Sequence, residues 1–169
     1  PDGTSLWVMP SEDYTYMSEA DVAAIVSYVR SRGAVGAETP PPRFGARDRL
    51  AILKGELEPT AMRVQEGGAS LDLGPRYDGG RYIARTMCAG CHGLDLSGTP
   101  DARVPNLNAV NRYALRDFFA LLRQGHAPDD RPTPVMKALA RPRFSEFKDY
   151  EVMALYDYLA ARAAALPPR

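Results

Sequence analysis

Two cysteines and a histidine stand together in Cys88-Ala89-Gly90-Cys91-His92, and the 169 residues hold no other cysteine. Neither thiol has a distant partner, so a disulfide framework is excluded and the pair must serve one local purpose. The C-x-x-C-H spacing is the sequence signal for covalent c-type haem attachment. At a helix end, residues three apart lie on the same side, so both sulfurs can reach the vinyl groups along one porphyrin edge. His92, next in the chain, then offers an imidazole nitrogen to the iron. Three other readings compete with haem. A thioredoxin-like dithiol would sit beside a βαβ pattern, and none is visible. A zinc site needs about four ligands. Only Cys88, Cys91, His92 and His126 qualify, and His92 follows Cys91 directly, which makes tetrahedral closure awkward. The third is chance occurrence of the motif.

The elements that must position these residues read as helices. Residues 18–32 have Ser18 as N-cap, Asp21 as an acidic first-turn partner, an apolar stripe of Val22, Ile25, Val26 and Val29, and Gly33 as a stop. Helical character resumes over 79–91, where Gly80, Ala84 and Cys88 share a face at four-residue spacing. Residues 113–124, stopped by Gly125, give a further helix. Residues 148–164 give a last one, with Val152, Leu155, Tyr156 and Leu159 on one face. Between them, 93–112 reads as a loop rich in Gly, Pro, Asn and Asp, and 126–147 as a loop with prolines at 128, 132, 134 and 142. Residues 34–75 read as a Pro/Gly-rich linker with one short helix near Arg49 to Lys54. No segment alternates like a strand. The expected fold is therefore all-α, with short helices and long loops. Loops of that length in a compact domain are acceptable when something other than protein fills the core.

Composition narrows the function. Lys+Arg and Asp+Glu are both 21, so the chain lacks the basic surface of a nucleic-acid binder. No apolar run approaches the roughly 20 residues of a membrane span. The chain begins at Pro1, which suggests that an upstream piece is removed or not included.

An internal repeat is also visible. DGTSLWVMPSEDYTYMSEADVAAIVSYVRSR at 2–32 resembles DDRPTPVMKALARPRFSEFKDYEVMALYDYLAAR at 129–162. Each has a charged start, a Met, a loop with an aromatic, and an acidic helix ending in Tyr, an apolar residue and Arg. The repeat divides the chain into 1–33, the back half of a first domain lacking its front; the linker 34–75; and a complete domain at 76–169.

A metal-bound histidine usually gives its second ring N–H to a carboxylate or a backbone carbonyl. The Pro105 carbonyl in Val104-Pro105-Asn106-Leu107 is the candidate acceptor, although on residues alone an ordinary loop proline is the simpler reading.

GGRYIARTMCAGCHGLDLSG, VPNL and FSEFKDYEVMALYDYLAAR together resemble the class I cytochrome c family, and within it the diheme branch found as electron-transfer subunits of membrane-bound dehydrogenases. The resemblance covers 76–163. It implies the cytochrome c fold wrapped around a covalent haem c, with the Pro105 carbonyl supporting His92. It also implies a methionine from the loop before the last helix as sixth iron ligand. Met136 occupies that place; Met153 and His126 are the alternatives. Met9 occupies the matching place in the partial first domain, which lacks its own C-x-x-C-H. A second haem follows only if a missing front half is present.

With His92 and Met136 both on the iron, the resemblance implies an electron carrier, not an enzyme. Redox protein partners, a larger membrane-associated complex and a periplasmic or other extracytoplasmic location are expected. The competing classes are a peroxidase-like haem enzyme or sensor with an open sixth position, and a docking subunit of a larger redox complex.

Overall fold

The computed structural model describes residues 14–37, 43–57, 59, 70–100, 103–128 and 133–166, without the Arg141 side chain. Met9 and much of the linker lie outside the described residues. Among the described residues there is no strand, as the sequence leads one to expect. No helix among them is long and apolar enough to cross a membrane. The chain divides into two compact units, Pro1–Gly67 and Gly68–Arg169.

In the first unit, α1 spans Glu19–Ser31 and α2 spans Ala46–Leu53. The Ser18 hydroxyl accepts the Asp21 backbone N–H at 3.1 Å, the N-cap anticipated from sequence. Neither helix buries a residue.

The second unit holds the core. A 3₁₀ turn at Pro75–Tyr77 leads into α3, Asp78–Ile83. A π-helical segment, Ala84–Cys88, interrupts the helix, and α4, Ala89–His92, completes it. After a loop come a 3₁₀ helix at Leu107–Arg112, α5 at Leu115–Gln124, α6 at Pro134–Leu139, a second π segment at Ala140–Phe144, and α7 at Asp149–Ala165.

Helix α7 is the spine of this unit. Its Val152, Leu155, Tyr158 and Leu159 are buried, each aliphatic side chain contributing about 1.5–3 kcal/mol. Where the sequence pattern offers Tyr156 for the inner face, Tyr158 is the fully buried tyrosine. Tyr158 donates to the Leu71 carbonyl at 2.9 Å, so residues 70–74 are tied to the core. Tyr156 stays half-buried, tilted against Phe118 at 5.5 Å, and donates to the Tyr113 carbonyl at 2.7 Å. Helix α3 crosses α7 at Gly80, whose missing Cβ leaves room for the Ala154 carbonyl.

Two segments expected as pure loop contain helix. At Leu107–Arg112, the Asn106 side chain accepts the Asn108 N–H at 2.9 Å and so starts a turn. At Pro134–Leu139, proline opens the first turn, where its missing N–H costs nothing. Gly125 then brings the end of α5 close to α6: a Cβ there would lie 2.2 Å from the Lys137 Cα.

Candidate haem site

The segment Asp78–His92 carries the two thiols and the imidazole. A regular helix would keep Cys88 on the face of Gly80 and Ala84. The π segment prevents this, its wide turn closed by the Ala89 N–H on the Ala84 carbonyl. Gly80 and Ala84 are buried, Cys88 is half-buried and Cys91 is exposed. Both cysteines are free. Burial pushes the Cys88 thiol up to about 12, and the neighbouring Cys91 adds to the shift. The pair is therefore neutral on the Cys88 side and next to open solvent on the Cys91 side.

Gly93, with φ +82°, ends the helix immediately after His92. Two further residues with positive φ, Leu96 (+62°) and Gly98 (+77°), fold the following loop back on the histidine. The Gly98 N–H donates to the His92 carbonyl at 2.8 Å, and Leu107 N–H donates to the Leu96 carbonyl at 3.0 Å. Leu96 accepts an αL backbone, a cost of about 1–2 kcal/mol, and buries its side chain completely in return. The return arm of this loop places the Pro105 carbonyl 2.8 Å from His92 Nδ1.

That contact sets the chemistry of the imidazole. Nδ1–H donates to Pro105, so the lone pair rests on Nε2, the nitrogen free to bind a metal. Burial holds the His92 pKa below its ordinary value, against the opposing effect of the Pro105 carbonyl. The ring is thus neutral and oriented, as an iron ligand must be.

Three further side chains hold Pro105 in place. The Arg162 guanidinium, buried on α7, donates to the Asn108 side-chain oxygen and to the Asp95 carbonyl, with Asn106 Oδ1 3.5 Å away. Gly98 lets the two arms of the loop touch: a Cβ there would lie 2.2 Å from the Val104 carbonyl oxygen and 2.8 Å from that of Pro105. Sequence reasoning passed over Gly98, Asn106, Asn108 and Arg162, because their role depends on contacts across as many as 67 residues of chain.

The remaining candidates fall as follows. Met136 is in α6, not in a loop; it is half-buried and packs against the core cluster. His126 is exposed, as a solvated surface histidine would be. Met153, expected as core filler, is 46% exposed on α7.

Two thiols, a neutral histidine oriented through its far nitrogen, and a small helical core with glycine-dependent loops fit covalent haem attachment. Among the described residues no group of three or more His, Cys, Asp or Glu side chains could hold a metal ion, which removes the support for zinc. The absence of any strand among them does the same for a thioredoxin-like dithiol. The fold and the site define a haem-binding all-α protein of the c type. The cytochrome c family model matches residues 78–162, and the chain belongs to that family. It carries haem c and is an electron-transfer haem protein. No curated protein and no solved structure matches it.

Proposed function

We propose that the chain relays single electrons through one haem c held by Cys88 and Cys91, with His92 and Met136 as its axial ligands. The observation that carries this reading is the 2.8 Å contact between His92 Nδ1 and the Pro105 carbonyl, which commits the imidazole to one tautomer and leaves Nε2 for iron. The haem supplies a one-electron couple at its iron. Thioether links at Cys88 and Cys91 fix it to the end of the α3–α4 segment. Met136, packed on the core before α7, supplies a soft sulfur that favours the reduced metal and raises the potential. With His92 and Met136 both holding the haem, a substrate would be kept from the iron.

The same proposal places the chain as a subunit of a respiratory, dehydrogenase or photosynthetic complex on an extracytoplasmic face, exchanging electrons with redox proteins. Residues 1–33 are read as the back half of a second cytochrome c domain and 34–75 as its linker, on the strength of the internal repeat and the diheme resemblance. Met9 would be the axial ligand of that second domain. The cysteine pair for a second haem would have to come from elsewhere, since this chain holds one pair.

The test is the weak far-red band of the oxidised protein that reports a methionine–iron bond. It is expected in the parent, lost in Met136→Ala, and kept in Met153→Ala and His126→Ala. Persistence in Met136→Ala refutes the ligand assignment. A parent without the band and with high-spin features supports the enzyme or sensor class instead.

A further inference from the structure

Helices α1 and α7 align without a gap from N-cap to N-cap, Ser18 on Lys148. In that register Val22 falls on Val152, Ala24 on Ala154, Ile25 on Leu155, Tyr28 on Tyr158, Val29 on Leu159 and Arg32 on Arg162. Every position that α7 buries carries the same kind of residue in α1. The surroundings differ completely. Val152, Leu155, Tyr158 and Leu159 are 0–2% exposed, whereas Val22, Ile25, Tyr28 and Val29 are 41–64% exposed. Arg162 reaches the loop that holds His92, whereas Arg32 lies over its own Tyr28 ring, 5.8 Å from the centroid.

Chance does not favour this match. Three apolar positions at helical spacing would suffice for a marginal amphipathic helix. A tyrosine and an arginine that are buried in α7 serve no purpose on an exposed helix. In α7 the tyrosine needs a backbone carbonyl from the chain before α3, and the arginine needs the oxygens of the loop after His92. The helix crossing in α7 is made at the Ala154 carbonyl and the Tyr158 Cβ, which the Gly80 backbone approaches, and α1 aligns Ala24 and Tyr28 with those positions.

We infer that the α1 face formed by Val22, Ala24, Ile25, Tyr28, Val29 and Arg32 is the seat for the front half of a second cytochrome c domain. The occupant is a helix with glycine at its crossing with Ala24, ending in its own haem-binding cysteines. A loop follows it, offering backbone and amide oxygens to Arg32. This deepens the reading of residues 1–33 given above, and adds the face, the register and the partner's chemistry.

The experiment is hydrogen exchange on the matured full chain. Val22–Arg32 amides should exchange at least about 1000-fold faster than Val152–Arg162 amides, because no burial supports α1. The probe for the occupant is the chain extended ahead of Pro1 by a copy of its own residues 68–128. The extension should raise protection of Val22–Arg32 at least about 100-fold and add a second covalent haem to the intact mass. Ile25→Asp in the extended chain, at the counterpart of the buried Leu155, should abolish both gains, and Ser27→Leu, whose counterpart Asp157 is exposed, should leave them. The inference is overturned by equal protection of the two helices in the unextended chain, or by an extension that protects nothing. It is also overturned by protection indifferent to Ile25→Asp. Protection that grows with the chain's own concentration, or appears on adding phosphatidylglycerol vesicles, overturns it too, in favour of a second copy or a membrane. The far-red band of the haem at Cys88 and Cys91 is read in the same samples, so failure of the electron-carrier reading is seen separately.

Discussion

Replacing Gly80 by alanine should destabilise the haem unit, while the same change at the adjacent Gly79 should not. At Gly80 the new Cβ would lie 2.0 Å from the Ala154 carbonyl oxygen and 2.7 Å from the Tyr158 Cβ. Both obstacles belong to the rigid part of α7, so no side-chain rotation relieves them. Ordinary contact requires α3 and α7 to part by about 1.4 Å, and a gap even smaller than that forfeits up to half of the dispersion energy of the facing atoms. Overpacking of this kind costs about 3 kcal/mol. Better helix propensity returns at most about 1 kcal/mol, leaving a net loss of about 2 kcal/mol. A Cβ at Gly79 meets nothing within 4 Å, so Gly79→Ala keeps only the propensity gain. The two variants, one residue apart, should thus differ by about 3 kcal/mol, and Gly80→Ala should melt about 10 °C below the parent. Guanidinium unfolding of the haem-loaded chain, followed by far-ultraviolet dichroism and by the Soret band, measures both. Equal midpoints for the two variants, within about 0.5 kcal/mol, would refute the close crossing of α3 and α7.

Gly98→Ala should push the Val104–Pro105 backbone away from His92 Nδ1; the weakened hydrogen bond lowers imidazole basicity, so the reduction potential should rise in a redox titration. Arg162→Met should cost about 3 kcal/mol in denaturant unfolding, because it takes the buried charged donor away from the half-buried Asn108 side-chain oxygen and the Asp95 carbonyl. Lysine at 162 should not restore this, having a point charge where a planar fork is needed. Acid stability should respond to Asp72, whose carboxyl is held below its ordinary 3.8 by the Gly74 backbone N–H first and the Arg81 guanidinium second. A carboxyl lowered in the folded state contributes fully above its unfolded pKa and loses that contribution as pH falls through the folded one. Asp72→Asn should therefore flatten the stability–pH curve below about pH 4 and leave its shape at neutral pH unchanged, as measured by thermal melts across the acid range.

Much of the site could be read in advance because its chemistry is local. Cys88, Cys91 and His92 lie within five consecutive residues, and Ser18, Gly33 and Gly125 end or begin helices by rules that act over one turn. The all-α class followed from the same short-range periodicity. What escaped depended on chain segments meeting. The helix at Pro134–Leu139 was hidden by four prolines, although one of them starts it. The choice of Tyr158 over Tyr156 as the buried tyrosine was undecidable from α7 alone, since either lies near the apolar stripe. The carbonyl of Leu71, 87 residues away, decides it.

The same distinction explains why the histidine support is distributed as it is. A proline carbonyl can point at an imidazole only if the loop carrying it is held from both sides. One side is internal: Gly93, Leu96 and Gly98 supply three left-handed backbones within six residues, and Leu96 takes the conformational cost because its side chain fills the core. The other side is remote: Arg162, near the end of α7, grips the loop at Asp95 and Asn108. The last helix is thereby linked to the His92 imidazole through Arg162, the Asn106–Asn108 turn, Pro105 and Nδ1 in succession. A packing change on α7 is therefore expected to shift the reduction potential in a redox titration, and an unchanged potential in Arg162→Met would refute this link.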